Sequence, residues 1–250
     1  MTRQFTAAAA FALCLATPAL AFDPAAMSDA EKAAFNDAVR AYLMDNPQVI
    51  MDAVDGLEAQ RAEQQASADG TLVATNLDAL HGDGYSWVGG NPEGDVTVVE
   101  FMDYRCGYCR KAHDEVAELV GSDGNIRYIV KEFPILGEAS MISSRFAIAT
   151  RMIAGNDAYK AAHDALITLT ADMSEPVLRR LSGTLGLDAD AVLAKMDDPE
   201  VAREINETRA LAQRLQINGT PTFVMGDELV RGYVPFATMQ AIVTDQRADS

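Results

Sequence analysis

The feature that most constrains this chain is a pair of cysteines placed where a hydrophobic strand gives way to a helix. Val96-Thr97-Val98-Val99-Glu100-Phe101-Met102 is a β-branched and aromatic run of the kind that forms a buried strand, and Arg110 through Val120 reads as a helix. Cys106-Gly107-Tyr108-Cys109 lies between them. Cys106 therefore falls at or near a helix N-terminus, where unsatisfied backbone N–H groups and the positive end of the helix dipole favour a thiolate over a thiol. A thiolate separated by two residues from a second cysteine is equipped for thiol–disulfide exchange.

The cysteine count sharpens this reading. The 250 residues hold three cysteines, and the third, Cys14, falls in a segment expected to be removed. Met1-Thr2-Arg3 is a short positive start, Ala7 to Leu15 an apolar core and Ala19-Leu20-Ala21 a small-residue cleavage site, the three parts of a secretory signal peptide. Residues 1–21 are thus read as the signal, with the mature chain starting at Phe22 in an exported compartment. The apolar stretch is too short to span a bilayer, and Pro18 interrupts its end. Leu13 before Cys14, where a lipoprotein has a small residue, argues against lipidation.

A lone CxxC in an exported chain has three physical readings. As a structural staple it is poor, because it closes a very short loop and stabilisation grows with loop length. As a structural zinc site it lacks ligands, since His81, His113 and His163 are scattered rather than set at finger-like spacing. A redox dithiol is left as the favoured reading, and no metal is assigned. His113, one turn beyond Cys109, reads as a solvated helix residue and is left outside the site.

Composition sets outer bounds. Hydrophobic residues make up 49% of the chain, enough for a sizeable core. The formal charge of −17, or −18 once Arg3 leaves with the signal, argues against nucleic acid or anionic lipid as partners.

The chain divides at about residue 84. Ser28-Asp29-Ala30-Glu31 is a capping box, and Phe35, Val39 and Leu43 follow at i, i+4 spacing, so a first helix is expected to about Asp45. Asn46-Pro47 restarts the chain, and Ile50, Val54 and Leu57 give a second helix one apolar stripe, which Asp69-Gly70 is expected to break. Val73, Leu77 and Leu80 suit a further short turn of helix. These helices are too few and too narrow in their apolar faces to bury a core alone. Two readings stay open, an extension docked on its own subunit and an oligomerisation module on a helical linker.

From Tyr85 the pattern turns α/β. Tyr85 to Gly89 suits an edge strand, and Trp87 is read as packing without chemistry. Ile126 to Phe133 is a second strand after the cysteine helix, and strand–helix–strand order implies a right-handed parallel unit. A helical block follows: Ile142, Phe146, Ala149 and Ile153 form one stripe and Tyr159, Ala162 and Leu166 a second. Ser174 and Asp188 look like helix caps, and Asp198-Pro199 opens a long helix facing inward through Ile205, Thr208, Ala212 and Leu215. Strand residues return at Thr222 to Met225 and Glu228 to Arg231 across a Gly226-Asp227 turn, and Pro235 starts a closing helix.

Phe101 to Cys109, Lys131-Glu132-Phe133-Pro134-Ile135-Leu136 and Gly219-Thr220-Pro221-Thr222-Phe223 together resemble the thioredoxin-fold, DsbA-like periplasmic oxidoreductases. The resemblance covers roughly residues 85 to 245. Val39 to Ile50 resembles the suppressor-of-copper-sensitivity C branch, some members of which oligomerise through this region. The fold so implied is α/β, a thioredoxin fold with a helical insertion at about 137–216, preceded by an N-terminal helical region over 22–84.

The resemblance also assigns roles. Cys106 corresponds to the exposed nucleophile and Cys109 to the shielded resolving thiol. Thr220-Pro221 corresponds to the loop whose cis-proline faces the dithiol, leaving Thr220 to present its backbone to an extended substrate. Glu100 occupies the place of the buried acid that accepts a proton from Cys109, and strand alternation points it inward with Val98. Gly107-Tyr108 lacks the Pro-His of the strongly oxidising branch and matches isomerases of the DsbC type, which favours isomerase or reductase work. The expected partners are protein thiols and disulfides, a membrane redox protein and a second copy through residues 22–84. No cofactor beyond the dithiol is expected. A primary dithiol oxidase and a copper(I)-binding protein using the same two thiolates are the alternatives.

Overall fold

The computed structural model describes residues 27–248, so the expected signal peptide, with Cys14 and the cleavage point after Ala21, lies outside the described residues. The chain forms two compact units that divide between Ala59 and Gln60. In the first, α1 (Asp29–Asp45) opens with the capping box: the Ser28 N–H donates to Glu31 Oε2 at 2.8 Å while the Glu31 N–H reaches back to Ser28 Oγ. No residue of α1 is buried. The helix α2 (Gln48–Thr75) starts in this unit and ends in the second.

Asp69-Gly70 does not break that helix. Glycine inside a helix costs about 0.5–1 kcal/mol relative to alanine. Here tertiary contacts offset it: Asp69 is buried against the Arg231 guanidinium as a two-point ion pair, and Val73 is fully buried. The short helix α3 (Leu77–His81) follows and buries Leu80. Val73 and Leu80 join a core layer with Val99, Phe101, Ile129, Leu211 and Val224. The compact units therefore divide before residue 84, the point at which the sequence pattern changes from helical to α/β.

The second unit is built on a five-stranded sheet in the order β1-β3-β2-β4-β5, from β1 (Trp87–Gly90), β2 (Val96–Met102), β3 (Ile126–Glu132), β4 (Thr222–Met225) and β5 (Glu228–Arg231). The central strand β2 runs parallel to β3 and antiparallel to β4, and Glu100 stands opposite Val130 and Phe223. β1 is an edge strand, antiparallel to β3. Strand alternation splits the core: Val98, Met102, Val130 and Phe223 face one layer, which includes both CxxC cysteines, while Val99, Phe101, Ile129 and Val224 face the other.

The helix α4 (Gly107–Asp123) links β2 to β3 and ends at left-handed Gly124. The helical block comprises α5 (Glu138–Thr168), α6 (Glu175–Thr184), α7 (Ala189–Lys195) and α8 (Pro199–Arg214), and α9 (Phe236–Ala248) closes the chain. The two stripes read in the block lie on either side of Gly155, whose φ of 86° breaks the direction of α5. Ile153, next to that break, is exposed rather than inward. Asp188 caps α7 through its carboxylate, whereas the Ser174 side chain makes no capping bond. The inner face of α8 is as expected, with Ile205, Thr208, Ala212 and Leu215 all buried.

One charge lies deep in this framework. Lys131, at the end of β3, has no exposed side-chain surface, and its ammonium donates to Asp83 Oδ2 and to the Ala79 carbonyl. Burial pushes the Asp83 carboxyl up, but the Lys131 charge, its hydrogen bond and bonds from Ser86 together hold it below the ordinary value. Removing one partner of a buried pair leaves the other charge uncompensated, which costs about 3–5 kcal/mol. Asp83→Ala is therefore expected to lower urea-unfolding stability by that amount, and adding Lys131→Met should recover most of the loss. Equal stabilities for Asp83→Ala and the parent chain would show that the pair contributes nothing.

Candidate active site

Cys106 is the N-cap of α4, with φ −75° and ψ 120°, and is 7% exposed. Its Sγ lies 3.1 Å from the carbonyl oxygen of Thr220, to which the thiol donates. The Thr220-Pro221 peptide is cis, and Pro221 is buried at the start of β4. The structure thus brings together the dithiol and the Thr-Pro loop, 114 residues apart in sequence. Cys109, one turn into α4, is 1% exposed, and the two sulfurs are free thiols.

The electrostatics of the two thiols diverge. Cys106 is brought down to about 5, first by a hydrogen bond from the Cys109 thiol and then by the Thr220 side chain and the N–H groups of Cys109 and Tyr108, against the opposing effect of burial. Cys109 is pushed far up, first by burial, then by its bond to Cys106 and by the charge of Glu100. One sulfur of the pair is an anion near neutral pH while the other holds the proton that stabilises it.

Glu100 is buried beneath them on β2, where its Oε2 accepts a very short hydrogen bond from the Tyr128 hydroxyl of β3. Burial raises its carboxyl to about 7, despite the Tyr128 bond, with the Cys106 and Glu132 charges adding to the rise. A carboxyl so placed can exchange a proton near neutral pH. Tyr108, between the cysteines, is 63% exposed and stacks on Tyr233, whose hydroxyl donates to Glu115 Oε1 at 2.6 Å. Gly107 is exposed and opens the helix.

Several groups of the site escaped sequence reasoning. Asp103, fully buried, accepts from the Arg105 N–H at 2.8 Å and, with its other oxygen, from the N–H groups of Ile135 and Leu136. It ties the loop before Cys106 to the loop after β3. Glu132 Oε1 accepts from Tyr104 at 2.7 Å and from Tyr159 at 2.6 Å, and the Tyr104 hydroxyl also lies 3.2 Å from His163 Nδ1. Burial raises Glu132 to about 7 and lowers His163 to about 3. His113, expected to be a solvated helix residue, is instead half-buried, with Nε2 3.3 Å from Asp164 Oδ1 and its ring 5.3 Å from that of His163. The signal available in the sequence was Lys131-Glu132 at the end of an otherwise apolar strand, which requires partners that only the fold supplies.

Residues 97–244 match the DSBA-like thioredoxin domain family, and residues 31–64 match the copper resistance protein ScsC N-terminal domain. The chain belongs to the DSBA-like thioredoxin domain family. It carries the DsbA-like thiol–disulfide oxidoreductase fold behind an ScsC-type N-terminal helical part. It is similar to a thioredoxin-like oxidoreductase from Silicibacter pomeroyi DSS-3, with 43% identity, a TM-score of 0.65 and coverage of 69% of this chain and 98% of that one. Proteus mirabilis ScsC in a transitional conformation shares the fold at 24% identity and a TM-score of 0.65, over 90% of this chain and all of that one. The Na(+)/H(+) antiporter NhaA 3 of Salinispora tropica is 29% identical over 156 residues, 62% of this chain. The chain spans 24% of that antiporter's length, and no helix among the described residues is long and apolar enough to cross a membrane.

The depressed thiol has a measurable consequence. In the reduced chain, thiolate absorbance should titrate near pH 5. A group whose folded value lies below its unfolded value, about 8.5 for cysteine, adds stability that is full above the unfolded value and is lost as pH falls through the folded one. The stability advantage of reduced wild type over Cys106→Ala is therefore expected to grow from about pH 5 to about pH 8.5. An advantage independent of pH would mean that the thiolate is not stabilised by folding.

Proposed function

We propose that the chain is an exported thiol–disulfide oxidoreductase that exchanges disulfides with protein substrates through Cys106 and Cys109, acting as an isomerase or reductase rather than a primary oxidant. The observation that carries this reading is the asymmetry of the pair: a sulfur at the helix start whose thiolate form is stabilised by the Cys109 thiol and by backbone N–H groups, in front of a shielded thiol that keeps its proton. The Cys106 thiolate attacks one sulfur of a substrate disulfide, forming a mixed disulfide and releasing a substrate thiolate. Cys109 then gives its proton to Glu100 and attacks Cys106 Sγ, closing the Cys106–Cys109 disulfide and releasing the second substrate thiol. The substrate gains two electrons and the dithiol loses them, so a membrane redox partner must return electrons for reductase work. If instead the released thiolate opens another substrate disulfide and the thiolate freed there attacks the mixed disulfide, Cys106 leaves as a thiolate and the exchange is an isomerisation with no net transfer of electrons.

Substrate backbone pairs with Thr220 beside Pro221, which has no N–H of its own to compete. The direction of the reaction rests on the Gly107-Tyr108 interior and on a Cys106 value near the middle of the activated range of about 3.5–7.5 rather than at its oxidising extreme. Cys109→Ser is expected to accumulate mixed disulfides on Cys106, visible on non-reducing gels, and Cys106→Ser to lose exchange altogether. Substrates trapped on Cys109 of Cys106→Ser would reverse the assigned roles.

Export to the periplasm is proposed from the signal over residues 1–21. Residues 22–84 are proposed to assemble the chain into an oligomer. Val39, Tyr42, Met44, Ile50, Met51, Val54 and Leu57 are each 40% or more exposed, a larger run of apolar surface than an isolated helix pair keeps in water. Several Cys106 thiolates around one misfolded substrate raise the local thiolate concentration, which favours shuffling. Deleting residues 22–59, which lie in the first compact unit, should give a monomer by light scattering that keeps dithiol exchange and loses scrambled-disulfide refolding. A full-length monomer whose refolding activity survives the deletion would remove the oligomeric half of the proposal.

A further inference from the structure

Two histidines of the described residues meet although the chain separates them. His113 comes from α4 and His163 from α5, and Asp164 follows His163 on the same helix. One ligand atom from each of the three side chains lies within 4.8 Å of the others, and His113 Nε2 is 3.3 Å from Asp164 Oδ1. A tetrahedral ion bound at about 2.1 Å holds its ligands about 3.4 Å apart. The separations are thus within a side-chain rotation of a coordination shell. His113 and His163 also line a cavity of about 230 Å³, with room for a water as the fourth ligand.

The surroundings of His163 prepare it as a ligand. The Tyr104 hydroxyl gives its proton to Glu132 and is left to accept from His163 Nδ1–H, so Nε2 keeps its lone pair. Metal-ligating histidines ordinarily have such an outer partner, which fixes tautomer and ring orientation. The competing contact is Lys160, whose ammonium pairs with Asp164. That pair is 42% and 41% exposed, the kind of surface ion pair that yields readily.

We propose that His113, His163 and Asp164 form a binding site for a borderline divalent transition-metal ion of the zinc class, joining α4 to α5 on the flank of the thioredoxin unit. Two imidazoles and one carboxylate suit such an ion better than magnesium or calcium, which prefer all-oxygen shells. The site is distinct from the dithiol: none of the three side chains hydrogen-bonds to Cys106 or Cys109.

The test uses the full mature chain with Cys106 and Cys109 closed as a disulfide, so that neither sulfur can ligate. Calorimetric titration with zinc should show one saturable site per chain. His113→Ala and Asp164→Asn should each weaken it at least tenfold. Cobalt(II) should give the visible absorption of a four-coordinate nitrogen and oxygen site. In the unsubstituted chain, one equivalent of zinc should block diethyl pyrocarbonate modification of His113, read by mass spectrometry. Labelling of His113 at the same rate with and without zinc, or only weak multi-site binding to the acidic surface unchanged in both variants, would overturn the proposal.

Discussion

Charge in the middle of a sheet is the constraint around which this structure is arranged. Glu100, Lys131 and Glu132 all lie on β2 and β3, all buried, where an isolated charge is untenable. Each is met differently. Lys131 faces an acid, Asp83, across the layer that also holds Val73 and Leu80, and burial lowers its ammonium against the opposing pull of the Asp83 charge. Glu132 accepts from two tyrosine hydroxyls and Glu100 from one, neutral donors that satisfy oxygen without cancelling charge. Both acids are therefore raised to about 7, and their protonation can change near neutral pH.

The dithiol inherits this arrangement. The charge of Glu100 adds to the forces that hold the proton on Cys109, and the Cys109 thiol is the largest single influence holding Cys106 low. The helix start contributes N–H groups to Cys106, but the asymmetry between the cysteines comes from depth. Cys106 borders the Thr220 loop while Cys109 is packed with Ala112, Val116 and Phe223 in the core. Asp103 keeps that geometry by pinning the residues on either side: one of its oxygens holds the backbone just before Cys106, the other the exposed Ile135-Leu136 turn. The exposed Ile135-Leu136 turn is thus anchored through its backbone by a buried carboxylate.

What could be read in the sequence was whatever is local. β-Branched runs gave β2 and β3, the Ser28-Glu31 box gave the start of α1, and the strand–cysteine–helix order placed Cys106 at its N-cap. Glu100 faces the side that alternation with Val98 assigns, and two apolar stripes marked the two halves of α5. The failures share a cause. Asp69-Gly70 looks like a stop until Arg231, 162 residues away, supplies the partner that makes continuation favourable. His113 looks solvated until α5 packs over it. Tyr128 as the partner of Glu100, and Tyr104 and Tyr159 as partners of Glu132, depend on strand register and helix packing, which no local pattern encodes.

The same dependence on packing bears on how the helical block and the sheet act together. Tyr159 of α5 donates to Glu132 at the end of β3, His163 of α5 lies against the Tyr104 hydroxyl that donates to the same oxygen, and Arg105 and Arg110 beside the dithiol donate to the carbonyl of Leu169 just after α5. The block is therefore bonded to the active-site loop at one end of α5 and to the buried acid along its length. A shift of α5 would disturb the residues flanking Cys106 and the bonds to Glu132 together, and Glu132 is one of the charges that raises Glu100. The helical insertion is, in its bonding, a part of the electrostatic setting of the thiols.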